Sequence, residues 1–279
     1  MIYNIFPPSK ELETIVKQYV VIDSIKDIDN LIFLPNGSNF IFFNRGLEGY
    51  SKIYNEVGIF PIPKNYSVSI KLNKVHKFVL CEESSHANLK FPIILVELTP
   101  IGYYKLFKKT ASIISKGYLE LDYNIIEKYF KDLYTKDTIE EEIEYLNRSL
   151  KSLNISQYIP KLVIFDIVDR IINFYNFEVS IERLVQDFGC SRSTLERNFK
   201  KVIGLTPKNF IFISKFSRTV VSYIEDECTF NELEYIYSDS SHMNVVFKNF
   251  FGISPSAVLN KVLNNKIQIH QMKKLNDNY

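Results

Sequence analysis

Basic side chains are concentrated in one stretch of this 279-residue chain, where they could bind phosphate groups. Across residues 183–218, eight Lys or Arg residues stand against Asp187 and Glu196, a net charge of 8 − 2 = +6. The next stretch, residues 219–247, has no Lys or Arg and six acidic residues, a net charge of −6. Clustered cations bind the phosphates of nucleic acids, and an Arg side chain can also donate two hydrogen bonds to guanine. The first stretch is therefore predicted to bind a polyanion, and the second is a poor ligand for one.

A repeat with a period of 48 residues indicates which elements position these cations. The segment Phe199–Pro207 recurs as Phe247–Pro255, with the Phe, Lys, Gly, hydroxyl and Pro residues in step. In each copy an aromatic residue ends an apolar helical face and Gly can take the left-handed conformation that ends a helix. Thr-Pro or Ser-Pro can then cap and begin another helix. The repeat predicts two copies of one helical unit.

The residues before the first copy predict a helix-turn-helix. Apolar residues after Ser180 recur at i, i+3, i+4 and i+7, the spacing of one helix face. Gly189 can end that helix, and Ser191 can cap the next. A helical bundle with no role in DNA binding would show the same spacing. The net charge of +6 favours the DNA-binding interpretation.

Residues from about 179 to 259 resemble the DNA-binding domain of the AraC/XylS family of bacterial transcription regulators. The segment Ser191–Lys200, followed by Gly204–Pro207, is similar to the family's first recognition helix and its ending. The resemblance implies two helix-turn-helix units joined by a long helix, in a protein that binds double-stranded DNA and is not an enzyme. A joining helix over residues 207–223 would be about 25 Å long at 1.5 Å per residue. It could therefore hold two recognition helices near the ~34 Å spacing of successive major grooves.

The recognition helices supply the predicted DNA contacts. Candidates for contacts to base edges are Ser193, Glu196 and Arg197 in the first unit and Ser240, Ser241 and Asn244 in the second. Arg can address guanine, and Glu can accept a hydrogen bond from cytosine. Candidates for phosphate contacts are Ser191, Arg192, Thr194, Lys200, Lys201 and Lys248. For any single Lys, a solvated helix face is an equally good interpretation.

The second unit departs from the first in ways that weaken its predicted role in DNA binding. Val245 stands where Arg197 stands in the first unit, and Glu234–Ser238 lacks the small residues that the family carries in that turn. We expect a distorted first helix in this unit, and a DNA affinity dominated by the first unit. The alternative function is a regulator whose degenerate second unit acts mainly through protein–protein interaction, for instance with RNA polymerase. One engaged helix predicts a shallower dependence of log affinity on log salt than two.

Before residue 115 the periodicity changes from helical to strand-like. Residues 31–34 and 40–43 flank a Pro-Asn-Gly-Ser sequence, which predicts a β-hairpin. Further strands are predicted over residues 66–72, 76–81 and 92–98, preceded by a short amphipathic helix that Ser9 opens. The expected fold class is α+β: a small β-barrel or sandwich with flanking helices, then an all-α C-terminal domain. The N-terminal part resembles the cupin-like sensor module that is joined to such DNA-binding domains.

Small barrels can enclose a ligand, which makes aromatic side chains candidates for an effector pocket. The candidates are Phe33, Phe42, Tyr66 and Phe78. The same residues are typical of a plain hydrophobic core. The group His76, Cys81, Glu82 and His86 lacks the His-x-His and later Glu spacing of metal-binding cupins. We therefore expect no metal and no cofactor.

Four regions are predicted along the chain. Residues 1–115 form the cupin-like sensor domain, 116–160 a helical linker, 161–265 the tandem helix-turn-helix domain and 266–279 a polar tail. A 4-3-4-3 spacing in the linker gives a heptad seam of Ile139, Ile143, Leu146, Leu150 and Leu153. Because the seam covers only two heptads, packing against its own domain is favoured, with homodimerisation as the alternative.

Composition agrees with a folded regulator. The chain is 46% hydrophobic and 14% aromatic, which allows two cores. Three widely spaced Cys residues without a CxxC motif argue against a disulfide framework or a structural zinc site. The sequence shows neither a secretory signal pattern nor an apolar run long enough to span a bilayer. It predicts a cytoplasmic transcription factor that binds double-stranded DNA and senses a small-molecule effector or a protein partner.

Overall fold

A computed structural model of the protein describes most of the chain. The described residues are 3–22, 31–43, 51–55, 58–61, 67–71, 76–80, 93–114, 118–156, 162–224, 237, 240–263 and 268–269. Within them the protein is α+β, with mainly antiparallel sheets in the N-terminal part and helices in the C-terminal part, as the sequence predicts.

Two sheets make up the β part. The strands are β1 (Tyr3–Phe6), β2 (Val16–Ile22), β3 (Leu31–Phe33), β4 (Asn39–Phe43), β5 (Ser51–Asn55), β6 (Gly58–Pro61), β7 (Ser67–Lys71), β8 (His76–Leu80), β9 (Ile93–Leu98), β10 (Tyr118–Glu120) and β11 (Gln268–Ile269). One sheet has the order β1-β2-β9-β4-β7-β10 and the other β11-β3-β8-β5-β6. Strands β7, β8 and β9 confirm the strands predicted over residues 66–72, 76–81 and 92–98.

Strands β4 and β9 lie at the centre of the larger sheet and pair with each other. Every residue of both strands is buried. Such continuous apolar runs are expected where a sheet is covered on both faces, because neither face can then alternate with polar residues. Ile41 and Phe43 on one face of β4 belong to the same core cluster as the helical seam residues, whereas Phe40 and Phe42 pack with Phe33 on the other face.

The helices follow the sheets in the chain. They are α1 (Gly102–Phe107), α2 (Tyr123–Tyr129), α3 (Ile139–Ser156), α4 (Val163–Asp169), α5 (Ile181–Phe188), α6 (Arg192–Ile203), α7 (Pro207–Ile224), α8 (Ser240–Phe251) and α9 (Pro255–Leu263). Single 3-10 turns occupy Lys10–Leu12, Ala111–Ile113 and Leu133–Thr135, and a π-helical turn, Arg170–Phe174, extends α4.

Helix α3 carries the predicted heptad seam and uses it inside its own domain. Four seam residues are buried in the core cluster beside the larger sheet: Ile143, Leu146, Leu150 and Leu153. The helix is also fixed by Asn147, whose side-chain oxygen accepts a hydrogen bond from the Tyr19 hydroxyl at 2.8 Å. The apolar side of the seam is thus occupied by β2, β9 and α1 residues rather than open to a second chain.

The helix starts and stops predicted in the first unit are present. The Ser180 hydroxyl accepts from the Arg183 amide at 3.1 Å and caps α5, and Gly189, with φ 58°, ends it. After α6, Gly204 has φ 75°. The Thr206 hydroxyl then accepts from the Asn209 amide at 3.2 Å and opens α7. Both glycines occupy left-handed positions that other residues take only with strain.

The predicted β-hairpin at residues 31–43 is wrong. Strands β3 and β4 both form, but β3 pairs with β8 and β11, whereas β4 pairs with β7 and β9. The connecting loop, residues 34–38, is buried instead of forming an exposed turn, and the Asn36 side chain accepts from the Ser38 amide at 2.9 Å. The Asn-Gly signal marks a turn here, but the turn passes from one sheet to the other.

The amphipathic helix predicted from Ser9 onward is also wrong. Only the 3-10 turn Lys10–Leu12 forms, and the chain then enters β2. Val16, Val20 and Val21 favour a strand because β-branched side chains lose rotamer freedom in a helix and pack well on a sheet. The buried apolar spacing that suggested a helix continues into a strand buried on both faces.

Residues 268 and 269 lie in the region predicted as a polar tail. They form β11, which pairs in parallel with Leu31 and Ile32 of β3. The C-terminal end of the helical part is therefore joined to the smaller sheet of the β part.

Candidate nucleic-acid interface

Helix α6 is held by one apolar face and by its N-cap. Leu195, Phe199, Val202 and Ile203 are buried in a core cluster with residues of α4, α5 and α7. At the N-terminus, the Ser191 hydroxyl accepts from the Thr194 amide at 3.2 Å. This cap satisfies one of the amides that the first turn of a helix leaves unpaired. With one face buried, the opposite face of α6 is fixed toward solvent.

The exposed face of α6 carries the residues predicted to contact DNA. Ser193, Arg197, Lys200 and Lys201 are all exposed, and Arg192 is exposed at the first turn. No other described segment of the chain buries these side chains. The structure thus brings these five candidates together on one surface, and Glu196 beside them is half-exposed.

Arg192 and Glu196 form an ion pair along α6. The Arg192 Nε lies 3.1 Å from a Glu196 carboxylate oxygen, and an Arg192 Nη lies 3.6 Å from the Glu182 carboxylate on α5. Among the described residues, the Arg197 side chain forms neither an ion pair nor a hydrogen bond. Arg192 is thus held by carboxylates, whereas the Arg197 guanidinium is open to meet a base.

The two hydroxyl candidates at the start of α6 are partly engaged. The Ser191 hydroxyl lies within hydrogen-bond distance of the Ser193 hydroxyl, 3.0 Å, and of the Thr194 hydroxyl, 2.9 Å, besides its cap. Thr194 is only half-exposed. The hydroxyl oxygens are therefore used in the first turn of α6, and the positive charge of the exposed face comes from its Arg and Lys side chains.

Helix α8 occupies the equivalent place in the second unit. Ser240, Ser241 and Lys248 are exposed, as their predicted roles require. Asn244 is half-exposed, and its side-chain amide donates to the Ser240 carbonyl at 2.8 Å. The predicted distortion of the preceding helix falls on residues 225–236, which lie outside the described residues.

A buried loop from the β part packs against α7, the helix that joins the two units. The Ser214 hydroxyl donates to the Asn36 carbonyl at 3.3 Å, and the Ser217 hydroxyl donates to the Pro35 carbonyl. Leu34 lies in one core cluster with residues of α7, α8 and α9. The loop therefore touches the element that sets the separation of the two recognition helices.

Hydrogen bonds to a buried carboxylate hold this loop in place. The Glu97 carboxylate, fully buried on β9, accepts from Lys17 at 3.1 Å, from Gln18 at 2.7 Å and from Asn36 at 3.2 Å. A buried carboxylate requires such partners because the protein interior solvates charge poorly. These hydrogen bonds link strands β2 and β9 to the loop.

A second contact joins the β part to α6 itself. The Thr110 hydroxyl donates to the Lys200 carbonyl at 3.0 Å, close to the C-terminal end of α6. Sequence reasoning missed this contact and the loop contact. The one available signal was the pair Ser214 and Ser217, which place two hydroxyls one turn apart on an otherwise apolar helix face.

The predicted effector-pocket residues are only partly described. Phe33 and Phe42 are buried, with ring centroids 6.2 Å apart in an edge-to-face arrangement, and Phe40 lies 5.1 Å from Phe33. Phe78 lies on β8, opposite Leu31 in the register, and Tyr66 lies outside the described residues. Where the structure describes them, these aromatic rings pack on one another.

The predictions about metals and membranes concern the same described residues. There, no group of three His, Cys, Asp or Glu side chains is close enough to hold a metal ion. Cys81, Glu82 and His86 lie outside those residues. None of the described helices has both the length and the hydropathy to cross a bilayer.

Comparison with known proteins decides the class of the C-terminal domain. A family model described as "Helix-turn-helix domain" matches residues 184–261, which include α6, α7, α8 and most of α9. The matched region carries helix α6 and both copies of the repeated Gly and Pro positions. Residues 184–261 of this chain therefore form a helix-turn-helix domain.

Three solved structures resemble this chain distantly. ToxT from Vibrio cholerae is 14% identical, with a TM-score of 0.45, over 87% of this chain and 97% of that one. ToxT from the same organism bound to an unsaturated fatty acid is 13% identical, with a TM-score of 0.43, over 86% and 93% of the two chains. The AraC-like transcriptional activator CuxR is 12% identical, with a TM-score of 0.30, over 79% and 88%. No curated protein matches the chain.

Proposed function

We propose that this protein is an AraC-type transcription regulator that acts in the cytoplasm and reads a specific double-stranded DNA sequence by placing α6 in the major groove. The observation that carries the proposal is the exposed cationic face of α6, with Arg197 near its middle. A helix held by its opposite face and capped at its N-terminus is the part of a helix-turn-helix that enters the groove. DNA is the partner because eight cations and two anions occupy residues 183–218.

Each side chain on this face has a proposed role. Arg197 donates to a guanine edge, and Ser193 makes an adjacent polar contact. Glu196 accepts from cytosine through the carboxylate oxygen that does not bind Arg192. Arg192, Lys200 and Lys201 neutralise phosphates and so position the helix without reading sequence.

The N-terminal part acts in this proposal as the sensor of a small-molecule effector or a protein partner. Its support is the pair of contacts that the β part makes with the helices, at Ser214 and Ser217 on α7 and at Lys200 on α6. A ligand that binds one arrangement of this interface more tightly than another shifts the population toward it. Such a shift would change how the two recognition helices meet DNA.

A second candidate function concerns the second unit. Residues 219–247 carry six acidic residues and no Lys or Arg, which disfavours close approach to a DNA backbone and favours a protein partner such as RNA polymerase. A homodimer is compatible with either function, but the seam of α3 is already buried, so a second copy would have to bind another surface.

The test of the proposed function compares Arg197→Ala with Lys201→Ala in the full chain. A duplex is first selected from a random pool by the wild-type protein, and dissociation constants are then measured on that duplex and on random DNA. Because Arg197 is assigned to a base edge, Arg197→Ala should lose ~1–3 kcal/mol on the selected duplex and much less on random DNA. Lys201→Ala should weaken both duplexes alike and lower the salt slope by about one.

Two outcomes would overturn the proposal. The first is that the wild-type protein selects no sequence and does not bind DNA at low ionic strength. The second is that Arg197→Ala weakens binding to selected and random DNA equally, since Arg197 would then contact phosphate alone.

A further inference from the structure

Helices α6 and α8 present the same positions to solvent. When the two copies of the 48-residue repeat are aligned, Leu195 corresponds to Met243 and Phe199 to Phe247. All four side chains are buried. In the same alignment Arg197 corresponds to Val245, and both side chains are exposed. Val245 therefore occupies the position on α8 that the arginine assigned to a base edge occupies on α6.

Val245 is an unusual side chain for that position. It is 55% exposed, whereas its apolar neighbours Val246 and Phe247 are 5% and 0% exposed and fill the core. A single exposed valine is common on protein surfaces and by itself indicates nothing. Here its surroundings are polar: Ser241, Lys248 and Asn249 are exposed on the same helix.

The chemistry of the major groove limits what Val245 can recognise. Valine has neither a donor nor an acceptor in its side chain, so it cannot pair with the polar edges of guanine, adenine or cytosine. Thymine alone among the four bases presents an apolar group there, its C5-methyl. We infer that Val245 contacts a thymine methyl, so that the second unit reads a thymine where the first unit reads a guanine.

The acidic residues of the second unit all precede α8, which itself carries none, and two further observations favour DNA over a protein as the partner of this face. Lys248 lies at the same repeat position as Lys200 and is exposed, and in the described part of the chain its ammonium group forms no ion pair. Ser240 and Ser241 are exposed at the N-terminal turn of α8, where a phosphate is favoured by the helix dipole. The face combines an apolar centre with hydroxyls and a cation at its two ends. This inference rests on the proposed function and deepens it for the second unit.

Replacing thymine by deoxyuridine tests the inference because it removes only the C5-methyl. Each thymine of the selected duplex is replaced singly, and the full-length protein is titrated against each duplex. At one position outside the half-site contacted by α6, we expect the wild-type protein to lose about fourfold in affinity, as for loss of one buried methyl-sized group. Val245→Ala should bind the thymine and deoxyuridine duplexes with nearly equal affinity.

Lys248→Ala is the matched control on the same helix. Its loss of a phosphate contact should weaken all duplexes together and leave the roughly fourfold ratio between thymine and deoxyuridine unchanged. Because Val245 and Lys248 are both exposed, neither substitution removes core packing. Circular dichroism of both variants should match that of the wild-type protein.

Four outcomes would overturn the inference. A selected site that contains a half-site for α6 only would leave the proposed function intact and remove this reading of α8. Full sensitivity to deoxyuridine in Val245→Ala would assign the methyl contact to another residue. Unchanged DNA binding by Val245→Ala, together with loss of transcriptional output, would assign Val245 to a protein partner. Selection of no sequence at all would contradict the proposed function and this inference together.

Discussion

The hydroxyl of Ser191 determines where the recognition helix begins. It accepts the Thr194 amide and also contacts two neighbouring hydroxyls, so its loss would leave the first turn of α6 without its cap. Ser191→Ala should lower the free energy of unfolding by about 1 kcal/mol, the usual cost of losing a Ser cap. The measurement is the urea midpoint of the full chain followed by circular dichroism.

Ser191→Asp separates capping from DNA contact. Aspartate also caps a helix and interacts favourably with the helix dipole, so stability should return to near the wild-type value. Its negative charge would repel a nearby phosphate, and DNA affinity should fall if Ser191 lies at the backbone. A full recovery of stability together with unchanged DNA affinity would remove Ser191 from the phosphate-contact residues.

At the scale of elements, the loop of residues 34–38 packs against helix α7, and this is the contact through which we propose that the two parts are coupled. Gly37 has φ 76°, and a Cβ added there would lie 2.6 Å from a ring carbon of Phe210. Gly37→Ala should therefore destabilise the docked loop by more than the ~1–2 kcal/mol that a left-handed residue alone costs. We expect the substitution to separate the loop from α7 and to alter DNA affinity.

Gly189→Ala is the matched control for that substitution. Gly189 also has a positive φ, 58°, but nothing lies within 4 Å of an added Cβ. Gly189→Ala should lose only the unfolding free energy that a left-handed alanine costs, because its methyl group meets no other atom. The urea midpoints of the two variants measure the difference. Equal losses in the two variants, with no change in DNA affinity for Gly37→Ala, would contradict a coupling role for the loop.

The helical elements could be predicted from sequence because their signals are local. Ser180 and Ser191 cap helices through hydroxyls that accept from an amide three residues on, and Gly189 and Gly204 end helices through their own backbone conformation. The exposed face of α6 could be predicted because Leu195 and the later apolar residues of the helix recur at the spacing of one buried face. These features need no knowledge of the rest of the molecule.

The β elements were harder because pairing depends on residues far away in the chain. The Asn36-Gly37 turn was recognised, but its sequence does not tell that β3 pairs with β8 while β4 pairs with β9. Val16 and Tyr19 fit a helix by spacing, and only burial on both sides made that segment a strand. The contacts of Ser214 and Thr110 join residues more than 80 positions apart, which no local pattern reveals.

At the scale of the whole molecule, contacts between described residues join the two parts at several places. The loop of residues 34–38 packs on α7, Thr110 binds the end of α6, and β11 returns the C-terminal end of the chain to β3. The contacts leave the exposed face of α6 uncovered. The arrangement allows the β part to influence the orientation of the helices without blocking the DNA-binding surface.

The central claim is that α6 of the intact protein lies in the major groove. Methylation interference on the selected duplex tests it most directly, because methyl groups on guanine N7 project into the major groove and those on adenine N3 into the minor groove. We predict that N7-methylation of a guanine in the first half-site prevents binding by the wild-type protein and has little effect on the residual binding of Arg197→Ala. Interference by adenine N3-methylation alone, with guanine N7-methylation tolerated throughout the site, would contradict the account.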